Sequence, residues 1–169
     1  MDKSTTEPRK RKVVIGMDGS KNAEDAFKWY AETLHEKGDF VIAIYTPEFK
    51  KLTHVSCMAS HMSMMTADPA LMTKLIEEEQ QQTRLLLGEI HELMNVADVS
   101  IKGTVKQMMG VPGEEIVKVA EDEGADFIIT GSRGLGTIRR TLLGSVSDYI
   151  VHHSPVPVFV CKPELQCHE

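Results

Sequence analysis

The chain has 169 residues, enough for one domain with a substantial core. Its 41% hydrophobic and 26% charged residues fit a globular protein, and its net charge of −6 argues against nucleic-acid binding, which needs clustered positive charge. No apolar run reaches the roughly 18 residues of a membrane span, the polar start MDKSTTEPRKRK is not a secretory leader, and the scattered Cys57, Cys161 and Cys167 give neither a disulfide framework nor a zinc spacing. A reducing, cytoplasmic setting is expected.

Residues 1–11 read as a polar tail that ends in the basic run Arg9-Lys10-Arg11-Lys12. Such a run either serves as a nuclear-import or acidic-partner patch or is simply solvated. Val13 to Met17 is a short, mostly β-branched run and predicts a buried strand. Asp18-Gly19-Ser20 follows, with Ser20 as a helix N-cap. Ala23, Ala26, Phe27, Tyr30, Ala31 and Leu34 then recur at helical spacing, up to a glycine stop at Lys37-Gly38. Phe40 to Tyr45 is a second strand, stopped by Pro47.

Residues 48–68 have no clear period and are rich in Met, Ser, Thr and His, which predicts a mobile loop. His54, Cys57 and His61 could in principle hold copper, but their spacing is not that of a zinc site; methionines packing on the rim of a site are the alternative. A long helix is expected from Pro69, with Met72, Leu75, Ile76, Leu86, Ile90, Leu93 and Ala97 on its apolar stripe. A third strand holds Val99, Ile101, Thr104 and Val105. A helix over Gly113 to Gly124 turns Ile116, Val117, Val119 and Ala120 inward, and Ala125 to Thr130 is a fourth strand. A short helix from Val146 to His153 and a last strand from Val156 to Cys161 complete the order, followed by a tail over 163–169. Strands apolar on both faces, alternating with helices, imply one α/β domain over residues 12–162: a doubly wound five-stranded parallel sheet with helices on both faces. Ligands in such sheets sit at the carboxyl ends of the strands, where strand order reverses.

The fourth strand runs directly into GSRGLGTIRRTLLGSVS, Gly131 to Ser147, with four glycines. A P-loop is excluded, because no lysine lies between Gly131 and Ser147. A dinucleotide fingerprint fails as well: Gly134-Leu135-Gly136 supplies its first two glycines, but Arg139 holds the place of the third. A pyrophosphatase loop would need a glycine pair that Met17-Asp18-Gly19-Ser20 lacks. What remains is Gly131-x2-Gly134-x9-Gly144-Ser145. Glycines there let backbone N–H groups approach a ribose or phosphate, and a helix starting at Gly144-Ser145 offers unpaired N–H groups to an anion.

That spacing resembles the ATP-binding signature of the universal stress protein family. Val13 to Asp18 is similar to the family's first strand with its terminal aspartate, and Phe40 to Pro47 to its second. Gly124 to Ser132 and Pro155 to Val160 resemble its fourth and fifth strands. The resemblance covers residues 12–162. It implies a Rossmann-like domain in which Gly131, Gly134, Gly144, Ser145, Val146 and Ser147 contact ribose and phosphates, while Asp18 and the backbone around Ile44 border the adenine and ribose end. It also implies a homodimer paired through the last strand, Val156 to Cys161. Arg133 could pair with a phosphate, whereas Arg139 and Arg140 read as solvated. The expected ligand is ATP, or AMP or ADP, with Mg2+ offsetting repulsion between Asp18 and the phosphates. No nucleophile–base pair is placed by the sequence. The chain therefore reads as a stress-response binding protein or switch, with a slow ATPase or a nucleotide-free interaction module as alternatives.

Overall fold

In the computed structural model the described residues are 10–47, 69–96, 101–132 and 143–162. The Met/His/Cys-rich segment at 48–68, residues 1–9 of the tail, Ala97, Val99 and the tail after 162 lie outside them. In chain order the elements are β1 (Lys12–Met17), α1 (Lys21–Trp29), β2 (Phe40–Tyr45), α2 (Pro69–Val96), β3 (Gly103–Gln107), α3 (Pro112–Asp122), β4 (Phe127–Gly131), α4 (Ser145–His153) and β5 (Val158–Cys161). The sheet order is β3-β2-β1-β4-β5, and every neighbouring pair is parallel.

Alternation along the strands explains why the sheet is covered on both sides. Val13, Ile15, Met17, Val41, Ala43, Phe127 and Ile129 face one way and pack against Ala23, Ala26 and Phe27 of α1 and Ile90 and Met94 of α2. Val14, Ile42, Ile44 and Ile128 face the other way, against Ile116, Val119 and Ala120 of α3 and Ile150 of α4. The period of two in the strands and of 3.6 in the helices thus meet in two apolar layers.

Four local expectations change. Helix α1 gives way at Tyr30 to a π-helical turn over Tyr30–Leu34, and His35 N–H closes it onto the Tyr30 carbonyl. β3 starts only at Gly103: Ile101 is buried ahead of it, and Lys102 accepts a bond from Val41 N–H. Ile76 of α2 is 43% exposed rather than in the stripe, and Leu85 is 63% exposed. The reason is length. At 28 residues α2 spans about 42 Å, roughly twice a six-residue strand. Leu86 is level with Gly19 at the carboxyl end of β1, so the helix upstream of Leu86 overshoots the sheet.

The fourth change concerns Arg11, which belongs to the folded domain rather than to a tail. Its Nε and one Nη donate to Asp39 Oδ1 and Oδ2, both at 2.8 Å, and its guanidinium also reaches the Leu34 carbonyl and Glu36. Tyr30, fully buried, donates its hydroxyl to Asp39 Oδ2 at 2.9 Å, and the Glu36 N–H binds the same oxygen. Burial works to raise the Asp39 carboxyl, but the Arg11 guanidinium, the Glu36 amide and the Tyr30 hydroxyl outweigh it and hold the group below the usual carboxylate range. Burial first, and then Asp39, push the Tyr30 hydroxyl well above its ordinary value. This satisfied knot closes the amino pole of the sheet, while Lys12 and Lys106 both reach Glu123 at the end of α3.

Candidate functional site

Strand order reverses between β1 and β4. The helices that follow these strands leave to opposite faces, α1 to one layer and α4 to the other. A crevice therefore opens at the carboxyl ends of β1 and β4, the usual place for a ligand in this architecture.

The β1 side is a tight turn. Asp18 Oδ1 accepts the Ser20 N–H at 2.9 Å. Gly19 adopts φ 76°, where a side chain would be strained and would also press on Leu86. Ser20 is the N-cap predicted from the sequence, its hydroxyl accepting from Ala23 N–H. The start of α1 is thus capped by its own side chain.

The β4 side is built differently. Ser132, buried, sits directly after β4 and gathers three hydrogen bonds: its N–H donates to the Cys161 carbonyl at 2.7 Å, and its carbonyl accepts from Gly144 N–H at 2.8 Å and from the Ser147 hydroxyl. Ser132 and Gly144 pin together the two ends of the glycine-rich segment. Gly144 is the N-cap of α4, with no side chain to close the helix start. Ser145 is exposed and Val146 half-buried. Ser147 is buried, and its hydroxyl is directed to the carbonyls of Ser132 and Gly144. Of the residues read from the sequence, Asp18, Gly131, Gly144, Ser145 and Val146 come together at this pole. Ile44 is in β2, its side chain in the α3/α4 layer, two residues before the same rim. Arg133 and Gly134, with Arg139 and Arg140, lie outside the described residues.

Gly131 has a reason for being glycine that the sequence did not reveal. A Cβ there would meet the backbone of α1's first turn, 2.8 Å from Asn22 O and 2.9 Å from Asn22 C. Two further rim residues were also missed. Ser132 is hidden inside the glycine motif, and its hub role needs the three-dimensional pairing of β4, β5 and α4. Thr46, immediately after β2, is 6% exposed, and its Oγ1 has no hydrogen-bond partner among the described residues. In the sequence it is only a threonine before a proline.

The rim offers turn donors, hydroxyls and one carboxylate, but no assembled nucleophile and base among the described residues. Cys161 ends β5 beside Ser132, but burial pushes its thiol up, away from the thiolate form. His35 is at the opposite pole, against Tyr30, and His152 and His153 end α4. No cluster of three or more metal-ligating side chains occurs among the described residues. No helix there is long and apolar enough to cross a membrane.

A parallel, doubly wound sheet with a helix start left open at its switch point defines an α/β domain of Rossmann-like type. The sequence profile of the Universal stress protein family matches residues 10–162, and the chain belongs to that family. It is 32% identical over 160 residues to the Universal stress protein MJ0577 of Methanocaldococcus jannaschii, covering 90% of this chain and 94% of that protein. The solved MJ0577 structure superposes with a TM-score of 0.64 over 92% of this chain and 98% of that one, at 29% identity. A universal stress protein family member from Arabidopsis thaliana with AMP bound shares the fold, with a TM-score of 0.62 at 18% identity over 92% and 93% of the two chains.

Proposed function

We propose that the β1/β4 crevice binds an adenine nucleotide, ATP with Mg2+, and that the protein works in the cytoplasm as a stress-response binding protein or switch. The observation that carries the reading is the start of α4. It begins at the switch point on Gly144, with no side-chain cap, whereas Ser20 caps α1. The first N–H groups of a helix carry about half a positive charge in aggregate, and here no N-cap side chain binds them; the only first-turn acid is the exposed Asp148. The Arabidopsis neighbour with AMP bound supports the view that this architecture accommodates an adenine nucleotide.

In this reading Ser145, Val146 and Ser147 bind phosphate oxygens through backbone N–H groups, with the Ser145 hydroxyl as an added donor, while Gly144, its own N–H bonded to the Ser132 carbonyl, leaves the approach to them open. Gly131 and Gly134 admit the ribose and phosphates to the backbone, Arg133 pairs with a phosphate, and Asp18 with the backbone around Ile44 borders the ribose and base. Magnesium, when bound, supplies positive charge between Asp18 and the phosphates. The absence of a nucleophile–base pair among the described rim residues favours binding over rapid turnover. We further propose a two-fold homodimer formed by antiparallel pairing of β5, which the sheet order puts at an edge.

Calorimetric titration tests the nucleotide reading. Wild type should bind Mg-ATP, and Gly134→Val should lose binding with little loss of folding. Wild type that gives neither heat nor a thermal shift at millimolar Mg-ATP refutes it.

A further inference from the structure

Ser147 lies in the first turn of α4 and is 2% exposed. A polar side chain at this third helical position can reach back to the N-cap N–H. Here that N–H is taken, because Gly144 donates it to the Ser132 carbonyl at 2.8 Å. The Ser147 hydroxyl turns instead to two carbonyls, that of Gly144 at 2.9 Å and that of Ser132 at 3.2 Å. Those carbonyls stand at the two ends of the glycine-rich segment. One buried hydroxyl therefore clasps the exit from β4 to the start of α4.

A serine hydroxyl carries a single proton. An ionised phosphate oxygen only accepts, so a bond from this hydroxyl to phosphate would need that proton. The proton is already committed to the Ser132 and Gly144 carbonyls, on a side chain shielded from solvent. Ser145, by contrast, is exposed at the same helix start. The clasp fixes where the first turn of α4 begins relative to β4, and so how its unpaired N–H groups are aimed. Donors already aimed at an anion bind it without first having to be ordered.

We propose that Ser147 is a positioning residue for the anion site, its hydroxyl holding Ser132 and Gly144 together rather than touching phosphate. The inference rests on the nucleotide reading above and changes the role that the family resemblance implies for this side chain; the Ser147 backbone N–H keeps the role given there. Each clasped carbonyl has a second donor, Gly144 N–H on Ser132 and Asp148 N–H on Gly144, both at 2.8 Å. Removing the hydroxyl should therefore loosen the turn without unfolding the domain.

The test compares wild type and Ser147→Ala in two measurements: calorimetric titration of Mg-ATP, and amide hydrogen exchange followed by NMR in the ligand-free proteins. Ser147→Ala should bind Mg-ATP roughly fivefold more weakly, the worth of one hydrogen bond. Without ligand, its Gly144 amide should exchange faster by about the same factor, while the amides of the buried core residues Ile15 and Ile129 exchange as in wild type. Equal Mg-ATP binding by the two proteins overturns the assignment and leaves the nucleotide reading standing. Weaker binding with an unchanged ligand-free Gly144 amide means that the hydroxyl touches the phosphates, and overturns it as well. Failure of Ser147→Ala to fold, or faster exchange throughout the core, means that the hydroxyl serves only the stability of the fold, which also overturns it. Wild type that binds no Mg-ATP removes both readings.

Discussion

Gly131→Ala separates two explanations of the same glycine. A residue kept small only for a ligand should tolerate a methyl group in the ligand-free protein. The structure predicts otherwise. The added Cβ would lie 2.8 Å from Asn22 O, 2.9 Å from Asn22 C and 3.2 Å from Ala23 N. All three are backbone atoms of α1's first turn, so no side chain can swing away. Either α1 shifts by several tenths of an ångström or β4 does, and both are fixed in the core by Ala23, Ala26 and Ile129. Overpacking of this kind costs about 1–3 kcal/mol. For a domain of this size, that lowers the melting temperature by about 2–12 °C. Differential scanning calorimetry of nucleotide-free wild type and variant measures it directly. An unchanged melting temperature would mean that α1 has slack at Asn22, and the close-approach argument would fail.

Two further predictions concern the opposite pole and the sheet edge. Because the folded-state pKa of Asp39 is depressed, its contribution to stability should be present above pH ~4, the unfolded value, and fade as pH falls below it. Tyr30 is raised in the fold, so its contribution should be present below pH ~10 and fade above it; in denaturant titrations Tyr30→Phe should cost about 1.5–3 kcal/mol at neutral pH and remove the tyrosine-linked part of the alkaline loss, and an alkaline limb identical to wild type would contradict this. At the edge, Ile128 N–H donates to the Pro157 carbonyl and Ser132 N–H to the Cys161 carbonyl, so alternate residues Val158 and Val160 direct their backbone groups outward. Val160→Pro should therefore convert the proposed dimer to monomer in light scattering while sparing the β4–β5 ladder, and a persistent dimer would count against pairing through β5.

The sequence makes an element legible where its signal is local. β2 is legible to the residue because an apolar run is bounded by Gly38-Asp39 and Pro47. The Ser20 cap was equally plain, since an N-cap needs only its own first turn. The end of α1 was not, because Ala31 and Leu34 suit a 3.6-residue period as well as they suit the wider turn they occupy. The role of Arg11 is hidden for the opposite reason. Within a basic run it looks solvated, and its partner Asp39 is 28 residues away. Gly131 was legible as a special position, but α1's backbone as its neighbour was not. Thr46 gave no signal, since an unpaired hydroxyl can be recognised only once every nearby partner has been placed.

The two ends of the sheet differ in how completely they satisfy their polar groups, and this difference carries functional information. At the amino pole a buried carboxylate, a buried tyrosine and a guanidinium are fully bonded to one another, and two lysines reach Glu123. Among the described residues, nothing there asks for a further partner. At the carboxyl pole α1 is capped, but α3 starts at Val111 and α4 at Gly144 without side-chain caps, and Thr46 keeps a buried hydroxyl unpaired. Substituting serine or aspartate at an N-cap typically stabilises a helix by about 1 kcal/mol, so positions 111 and 144 forgo a stabilisation that position 20 uses. Water can satisfy an exposed helix start, but not the shielded Thr46 oxygen. A ligand that brings an anion to α4 would satisfy its open start, and the phosphates of an adenine nucleotide are such an anion.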